Sequence, residues 1–266
     1  VVDAIKIVKV DERNKGHIID QLRLNLLRNL FIIYNLICEP DNSVTYVAHD
    51  DGKFKGLLSV YKAIPPMVRL DSEEYMVHQL LELLPWKKMI LFCPPDLLDA
   101  IKSKFPGANC YPEYQMYVAK GEENLITPNL AEKLKPENAS LLAELYSSSP
   151  AELQFSRSEQ RCRELIERCN VYGIFKEDRL VSAAVSVRKL PEAGELIGVF
   201  THPKYRGRGF GKIVVSAATE DALQYAEGVN LYVGAYNKPA IKIYEKLGYR
   251  KVNEWFWVDI GTGLKP

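Results

Sequence analysis

Residues 205–212 read Tyr205-Arg206-Gly207-Arg208-Gly209-Phe210-Gly211-Lys212, between an apolar strand-like stretch and a run of helical character. Few folds can use such a segment. Alternate glycines let successive backbone N–H groups curl around an anion, because no Cβ obstructs the approach and positive φ is inexpensive. A following helix aims its N-terminal N–H groups and positive dipole end at the same spot. Arg206, Arg208 and Lys212 add full positive charges. The segment therefore predicts strand, anion-binding turn and helix in that order, with a phosphate-bearing ligand.

Two nucleotide-binding patterns fail here. A P-loop needs Gly-x-x-x-x-Gly-Lys-Ser/Thr, but Gly211-Lys212 is followed by Ile213 and preceded five positions earlier by Arg206. The dinucleotide fingerprint needs Gly-x-Gly-x-x-Gly, whereas Gly207, Gly209 and Gly211 run Gly-x-Gly-x-Gly. Read from Arg206 the spacing is Arg-x-x-Gly-x-Gly, which resembles the acyl-CoA-binding loop of the GNAT superfamily of N-acyltransferases. The likeness extends outward. Glu195-Leu-Ile-Gly-Val-Phe200-Thr-His-Pro resembles that family's fourth strand. Leu231 to Asn237, then Ala240, Tyr244 and Gly248-Tyr249, resemble its next strand, its Asn-x-x-Ala-x-x-x-Tyr helix and its Gly-aromatic pair. The resemblance covers roughly residues 128–266 and is strongest over 195–250.

Local patterns agree with that order. Ile197–Phe200 is short, apolar and β-branched, as a buried strand should be. From Lys212 to about Ala226 the chain lacks Gly and Pro, with Val214, Ala218, Ala222 and Tyr225 on one helical face. Asn237 is a good N-cap, Pro239 falls in a first turn, and Gly248 ends the helix. Upstream, the spacing predicts a helix over Leu130–Tyr146, another around 156–169, and a hairpin with strands at 171–175 and 180–188.

The chain has 266 residues, 47% hydrophobic, with a formal net charge of +1. That length suits two domains. The charge balance argues against a general nucleic-acid or membrane-surface binder. No apolar run reaches the roughly 20 residues of a membrane span, and no basic-then-apolar leader opens the sequence. The five cysteines, 38, 93, 110, 162 and 169, have no metal-ligand spacing. Reduced thiols and a cytoplasmic location are expected.

The polar stretch 120–129 marks a boundary, giving domains 1–125 and 126–266. Val44–His49 with Phe54–Tyr61 repeats the later hairpin. Lys88–Cys93, the helix Pro95–Lys104 and the strand Tyr114–Ala119 parallel residues 231–258. The expected fold is α/β (α+β): tandem GNAT-like domains, each a mixed, mostly antiparallel sheet flanked by helices. The N-terminal copy is degenerate. Where its phosphate loop should lie, Asp71-Ser-Glu-Glu74 has three carboxylates and no glycine.

The resemblance implies an N-acetyltransferase that moves an acetyl group from acetyl-CoA, its cosubstrate, to a primary amine by direct attack, without a metal. Gly198, Val199, Phe200, Arg206, Gly207, Arg208, Gly209, Phe210, Gly211, Lys212, Asn237 and Tyr244 would hold CoA. A backbone N–H near Val199 or Phe200 would take the oxyanion. Tyr244 is the candidate general acid for the departing thiolate, or else a packing tyrosine on its helix's buried face. Glu195, eleven residues before Arg206, is the candidate base, or else a solvent-facing glutamate beside a turn. His202 in Thr-His-Pro is a weaker base candidate and equally a way of turning out of the strand. The acceptor, a small-molecule or peptide amine, is expected near Gln154–Arg161, where Glu152 and Glu159 would suit a cation. The chain would act as a monomer or homodimer. The alternative is a non-catalytic CoA-binding or scaffold protein on the same fold.

Overall fold

The computed structural model describes residues 5–50, 52–150 and 157–266. The chain forms two compact units. The first comprises residues 1–113 with 253–265, the second 114–252 with Pro266.

In chain order, β1 (Lys6–Lys9) leads to helices α1 (Lys15–Arg23) and α2 (Leu26–Cys38). Strands β2 (Ser43–Asp50), β3 (Lys53–Tyr61) and β4 (Met67–Ser72) follow, then α3 (Val77–Leu81), β5 (Met89–Cys93), α4 (Leu98–Lys104) and β6 (Asn109–Ala119). The same succession then repeats. It runs β7 (Glu132–Lys133), α5 (Ala139–Ser147), α6 (Glu159–Arg168), β8 (Asn170–Lys176), β9 (Arg179–Leu190) and β10 (Ala193–Thr201), then α7 (Phe210–Leu223), β11 (Gly228–Gly234), α8 (Lys238–Lys246) and β12 (Arg250–Ile260).

In the first unit the strands are ordered β1-β2-β3-β4-β5-β12. Pairing is antiparallel from β1 to β4, parallel between β4 and β5, and antiparallel between β5 and β12. The second unit is ordered β7-β8-β9-β10-β11-β6, antiparallel from β7 to β10 and parallel between β10 and β11. Both units thus have one architecture, and the tandem reading holds.

Two expectations are corrected. The strand at Tyr114–Ala119 belongs beside β11 in the second unit, and residues 253–260 of the last strand lie beside β5 in the first. Each unit takes its sixth strand from the other half of the sequence. The helix expected over Leu130–Tyr146 starts only at Ala139. Pro136 disfavours helix at the residue before it, and the Leu134 N–H instead donates to the Val171 carbonyl at 2.7 Å.

Two apolar layers position the second unit's sheet. On one face α7 and α8 cover Leu196, Leu231 and Val233, with Val214, Val215 and Ala218 of α7 fully buried. On the other, α5 and α6 cover Ala183, Val185 and Phe200 through Leu142, Tyr146 and Ile166. Small residues along α7 let its backbone come close to the sheet, which sets the helix N-terminus at the end of β10. Asp221 pins the opposite end, accepting from Asn170 Nδ2 at 2.8 Å and from the Tyr172 hydroxyl at 2.9 Å.

In the first unit the acidic segment 71–74, at the end of β4, has no glycine turn like that of the second unit. Asp71 makes a two-point ion pair with Arg28 of α2, Nη2 lying 2.7 Å from Oδ1, and Lys55 faces Glu73 at 3.7 Å. Asp71 and Glu73 are thus engaged with the unit's own cations.

Candidate active site

The parallel ladder between β10 and β11 is short: Gly194 opposes Val229, Glu195 opposes Asn230, and Leu196 opposes Leu231. There it stops, although β10 continues to Thr201 and β11 to Gly234. On its other edge β10 keeps pairing with β9, but the register shifts between Ile197 and Phe200. Gly198 sits in that bulge with φ +59°, a left-handed conformation costly for any residue with a Cβ. The strands therefore separate at the point where Ile197, Gly198 and Val199 pass. Backbone groups on that edge of β10 have no β11 partner.

At the end of β10 the chain is held tightly. Ser182 and Thr201 share a hydroxyl–hydroxyl bond of 2.8 Å, and the His202 N–H donates to Val181 O at 2.9 Å. His202 Nδ1 accepts from the Lys204 N–H at 3.2 Å, so this imidazole caps the turn Pro203–Tyr205. Arg206 Nε donates to Thr201 O at 3.1 Å, and its guanidinium lies 5.6 Å from the Phe200 ring centroid. Arg208 lies over Tyr205 at 5.3 Å.

The glycine run then enters α7. Gly207 and Gly209 have φ of +76° and +86°, and Gly209 is the N-cap residue. The N–H groups of Phe210 and Gly211 have no acceptor among the described residues, as expected of a helix start. Arg206, Arg208 and Lys212 have no carboxylate partner among the described residues either. Lys176 adds a fourth cation, its Nζ 5.5 Å from the Phe210 ring centroid. Orphan N–H groups, the dipole end and positive side chains without carboxylate partners thus belong to one short segment, a combination suited to an anion such as a pyrophosphate.

Helix α8 brings in the remaining candidates. Asn237 Oδ1 accepts from the Ala240 N–H at 3.3 Å, completing the cap that its residue type promises. Tyr244 is 5% exposed, and its ring lies 5.9 Å from that of Tyr249. Tyr249 is tied to Thr219, hydroxyl to hydroxyl, at 2.7 Å. The Tyr244 hydroxyl makes no hydrogen bond to the protein among the described residues. Burial pushes its ionisation well above the ordinary value of 10.0, so it stays a proton donor.

Glu195 is in a different situation. Its Oε2 lies 3.2 Å from Lys189 Nζ, and both side chains are largely covered. It lies within the paired part of β10, beside Asn230, whose Oδ1 accepts from the buried amide of Gln115 at 2.8 Å. Glu159 opens α6 and pairs with Arg163 at 3.2 Å. Glu152 and Gln154 lie outside the described residues. Among the described residues no group of His, Cys, Asp and Glu could hold a metal ion, and no helix is long and apolar enough to cross a membrane.

Three contributors escaped the sequence reading: Lys189, Lys176 and Tyr146, whose hydroxyl donates to Gly198 O at 2.8 Å. A hairpin count across Leu190 and Ala193 would have put Lys189 near Glu195. Nothing local to Tyr146 distinguishes it from a core tyrosine.

Residues 171–258 match the FR47-like protein family. An uncharacterized N-acetyltransferase of Methanocaldococcus jannaschii is 38% identical over 61 residues, covering 23% of this chain and 27% of that protein. This chain thus spans about a quarter of the curated relative's length. Two solved structures share the fold over nearly the whole chain. A Drosophila protein superposes with TM-score 0.76 at 15% identity, covering 97% of this chain and 99% of its own. A tandem GNAT protein from the clavulanic acid biosynthesis pathway gives 0.57 at 16% identity, with coverage of 97% and 99%. Residues 171–258 are thus similar to the FR47-like family, and the fold over nearly the whole chain is that of a solved tandem GNAT protein.

Proposed function

We propose that the second unit binds acetyl-CoA and transfers its acetyl group to a primary amine by direct attack in a ternary complex. One observation carries the reading: three cations without carboxylate partners surround a left-handed glycine turn at the start of α7, beside the point where β10 leaves β11. The residues present suit the cosubstrate. Arg206, Arg208, Lys212 and the N–H groups of Gly207–Gly211 would hold its pyrophosphate. The unpaired edge of β10 at Ile197–Val199 would hydrogen-bond its amide-rich arm. Asn237 would border that arm.

The chemistry needs a neutral amine, a donor to the developing oxyanion, and a proton for the departing thiolate. A new C–N bond forms as the C–S bond breaks. Val199 N–H is the oxyanion donor in this reading, and Tyr244 gives its phenolic proton to the sulfur. The amine's proton leaves to Glu195, directly or through water. The acceptor is an amine of a small molecule or peptide, and the setting is cytoplasmic.

The Glu195–Lys189 ion pair is the observation that favours a second reading, in which the unit binds CoA without turnover. Thiol release from acetyl-CoA with a panel of primary amines separates the two. Turnover with at least one amine supports transfer; tight CoA binding with none supports the binding module. Glu195→Gln is expected to lower kcat/KM about tenfold or more and to alter the acidic limb of its pH profile. An unchanged profile removes Glu195 from the mechanism and leaves its bond to Lys189 as its role.

The cradle has its own test. Arg208→Glu is expected to weaken CoA binding, measured calorimetrically, by about tenfold or more, and to reduce the dependence of affinity on salt. Equal affinity in the variant would place the pyrophosphate elsewhere.

A further inference from the structure

Tyr146 lies outside every motif that pointed to the site, yet its hydroxyl meets β10 at its irregular point between Ile197 and Phe200. It stands near the end of α5, 2% exposed, with its ring edge-on to Phe200 at 6.4 Å. The hydroxyl donates to the Gly198 carbonyl at 2.8 Å. A carbonyl turned out of a strand ladder by a bulge needs another partner when it is buried. Tyr146 supplies that partner from the α5 side of the sheet. The fit is mutual, since a Cβ on Gly198 would come within 2.6 Å of the same hydroxyl.

The Gly198 carbonyl and the Val199 N–H belong to one planar trans peptide unit, so they point in opposite directions. Anchoring the carbonyl toward α5 therefore directs the N–H away from α5. That is the face carrying α7 and α8, where Tyr244 lies. Without an anchor, the peptide could turn over or the bulge could close, and the N–H would lose its aim.

We infer that Tyr146 is a positioning residue for acyl transfer: by holding the Gly198 carbonyl, it fixes the bulge and orients the Val199 N–H toward the reacting thioester. The inference rests on the acetyl-transfer reading of the site. Burial also raises the ionisation of Tyr146 far above its ordinary range, so the donor persists across the working pH range.

The test compares Tyr146→Phe with the wild-type chain, well below the melting temperature of each. With the amine that the wild type acetylates fastest, kcat is expected to fall about tenfold to a hundredfold, while the Kd for CoA changes less than about threefold. A residue that only fills the core would lower the melting temperature and leave kcat intact. Gly198→Ala reads the same contact from its other end, and its loss of kcat should not add to that of Tyr146→Phe. A crystal structure of Tyr146→Phe provides a readout independent of turnover. There the bulge between Ile197 and Phe200 should relax, or the 198–199 peptide should turn. An unaltered bulge with that peptide unturned, or an unaltered kcat, overturns the inference. Failure of the wild-type chain to bind CoA overturns instead the acetyl-transfer reading beneath it.

Discussion

Replacing Tyr244 by phenylalanine is expected to lower kcat about a hundredfold while leaving the Kd for CoA within about twofold. The substitution removes one oxygen and keeps the ring, so packing against Tyr249 survives. What disappears is the proposed proton for the leaving thiolate. The hydroxyl is suited to that task because no protein group among the described residues holds it, while burial keeps it protonated above its ordinary value of 10.0. The pH dependence follows with a definite sign. Because the folded-state ionisation is raised, its contribution to stability is complete below pH 10 and is lost as pH climbs above that value. Tyr146 and Tyr249 are shifted in the same direction, chiefly by burial. The second unit should therefore soften in alkali, and the activity of the wild type should show no loss from this tyrosine below pH 10. Parallel kinetics and calorimetry on Tyr244→Phe check the assignment. Equal loss of CoA affinity and kcat would make Tyr244 a packing residue.

What could be read from the sequence was local chemistry. A glycine run with interleaved arginines, an asparagine three residues before an alanine, and a proline in a first helical turn each act on their immediate neighbours. The strand–turn–helix at 197–223 and the Asn237 cap accordingly appear where expected. The acidic segment at 71–74 likewise marked the first unit as lacking a cradle, and its Asp71 and Glu73 are tied to Arg28 and Lys55. Long-range partners left no such trace. Tyr146 meets Gly198 across 52 residues, and helical spacing on α5 says only that its side chain faces inward. The extra strand β7 was missed because Glu132–Lys133 is two residues long, too short for any alternation to register. The largest miss concerned the sixth strands. Alternation tells which face of a strand is buried, but it is silent on which sheet edge that strand joins. Tyr114–Ala119 and Asn253–Ile260 were therefore assigned by proximity in sequence, and both assignments fail.

Trp255→Ala turns that correction into a measurable effect on the first unit: a loss of about 4 kcal/mol, the scale of truncating a large buried aromatic. Trp255 is 1% exposed, and its ring lies 3.8 Å from the guanidinium carbon of Arg69 and 5.3 Å from that of Arg28. Arg69 is itself 3% exposed, so the indole face solvates a charge that water does not reach. Removing the ring opens a cavity and withdraws that solvation together. The strand after it, Phe256–Ile260, pairs with Cys93–Met89 and buries Val258 and Ile260 among Leu70, Leu80 and Leu91. Loss of protection should therefore fall on β3, β4 and β5, some 160 residues or more earlier in the chain. It should spare β10 and α7, nearer in sequence but in the other unit. Amide hydrogen exchange resolves the two patterns. Trp255→Phe should retain part of the stability, because a smaller ring still faces the guanidinium. A loss confined to residues 114–252 would contradict the assignment of this strand, and no loss would contradict the packing.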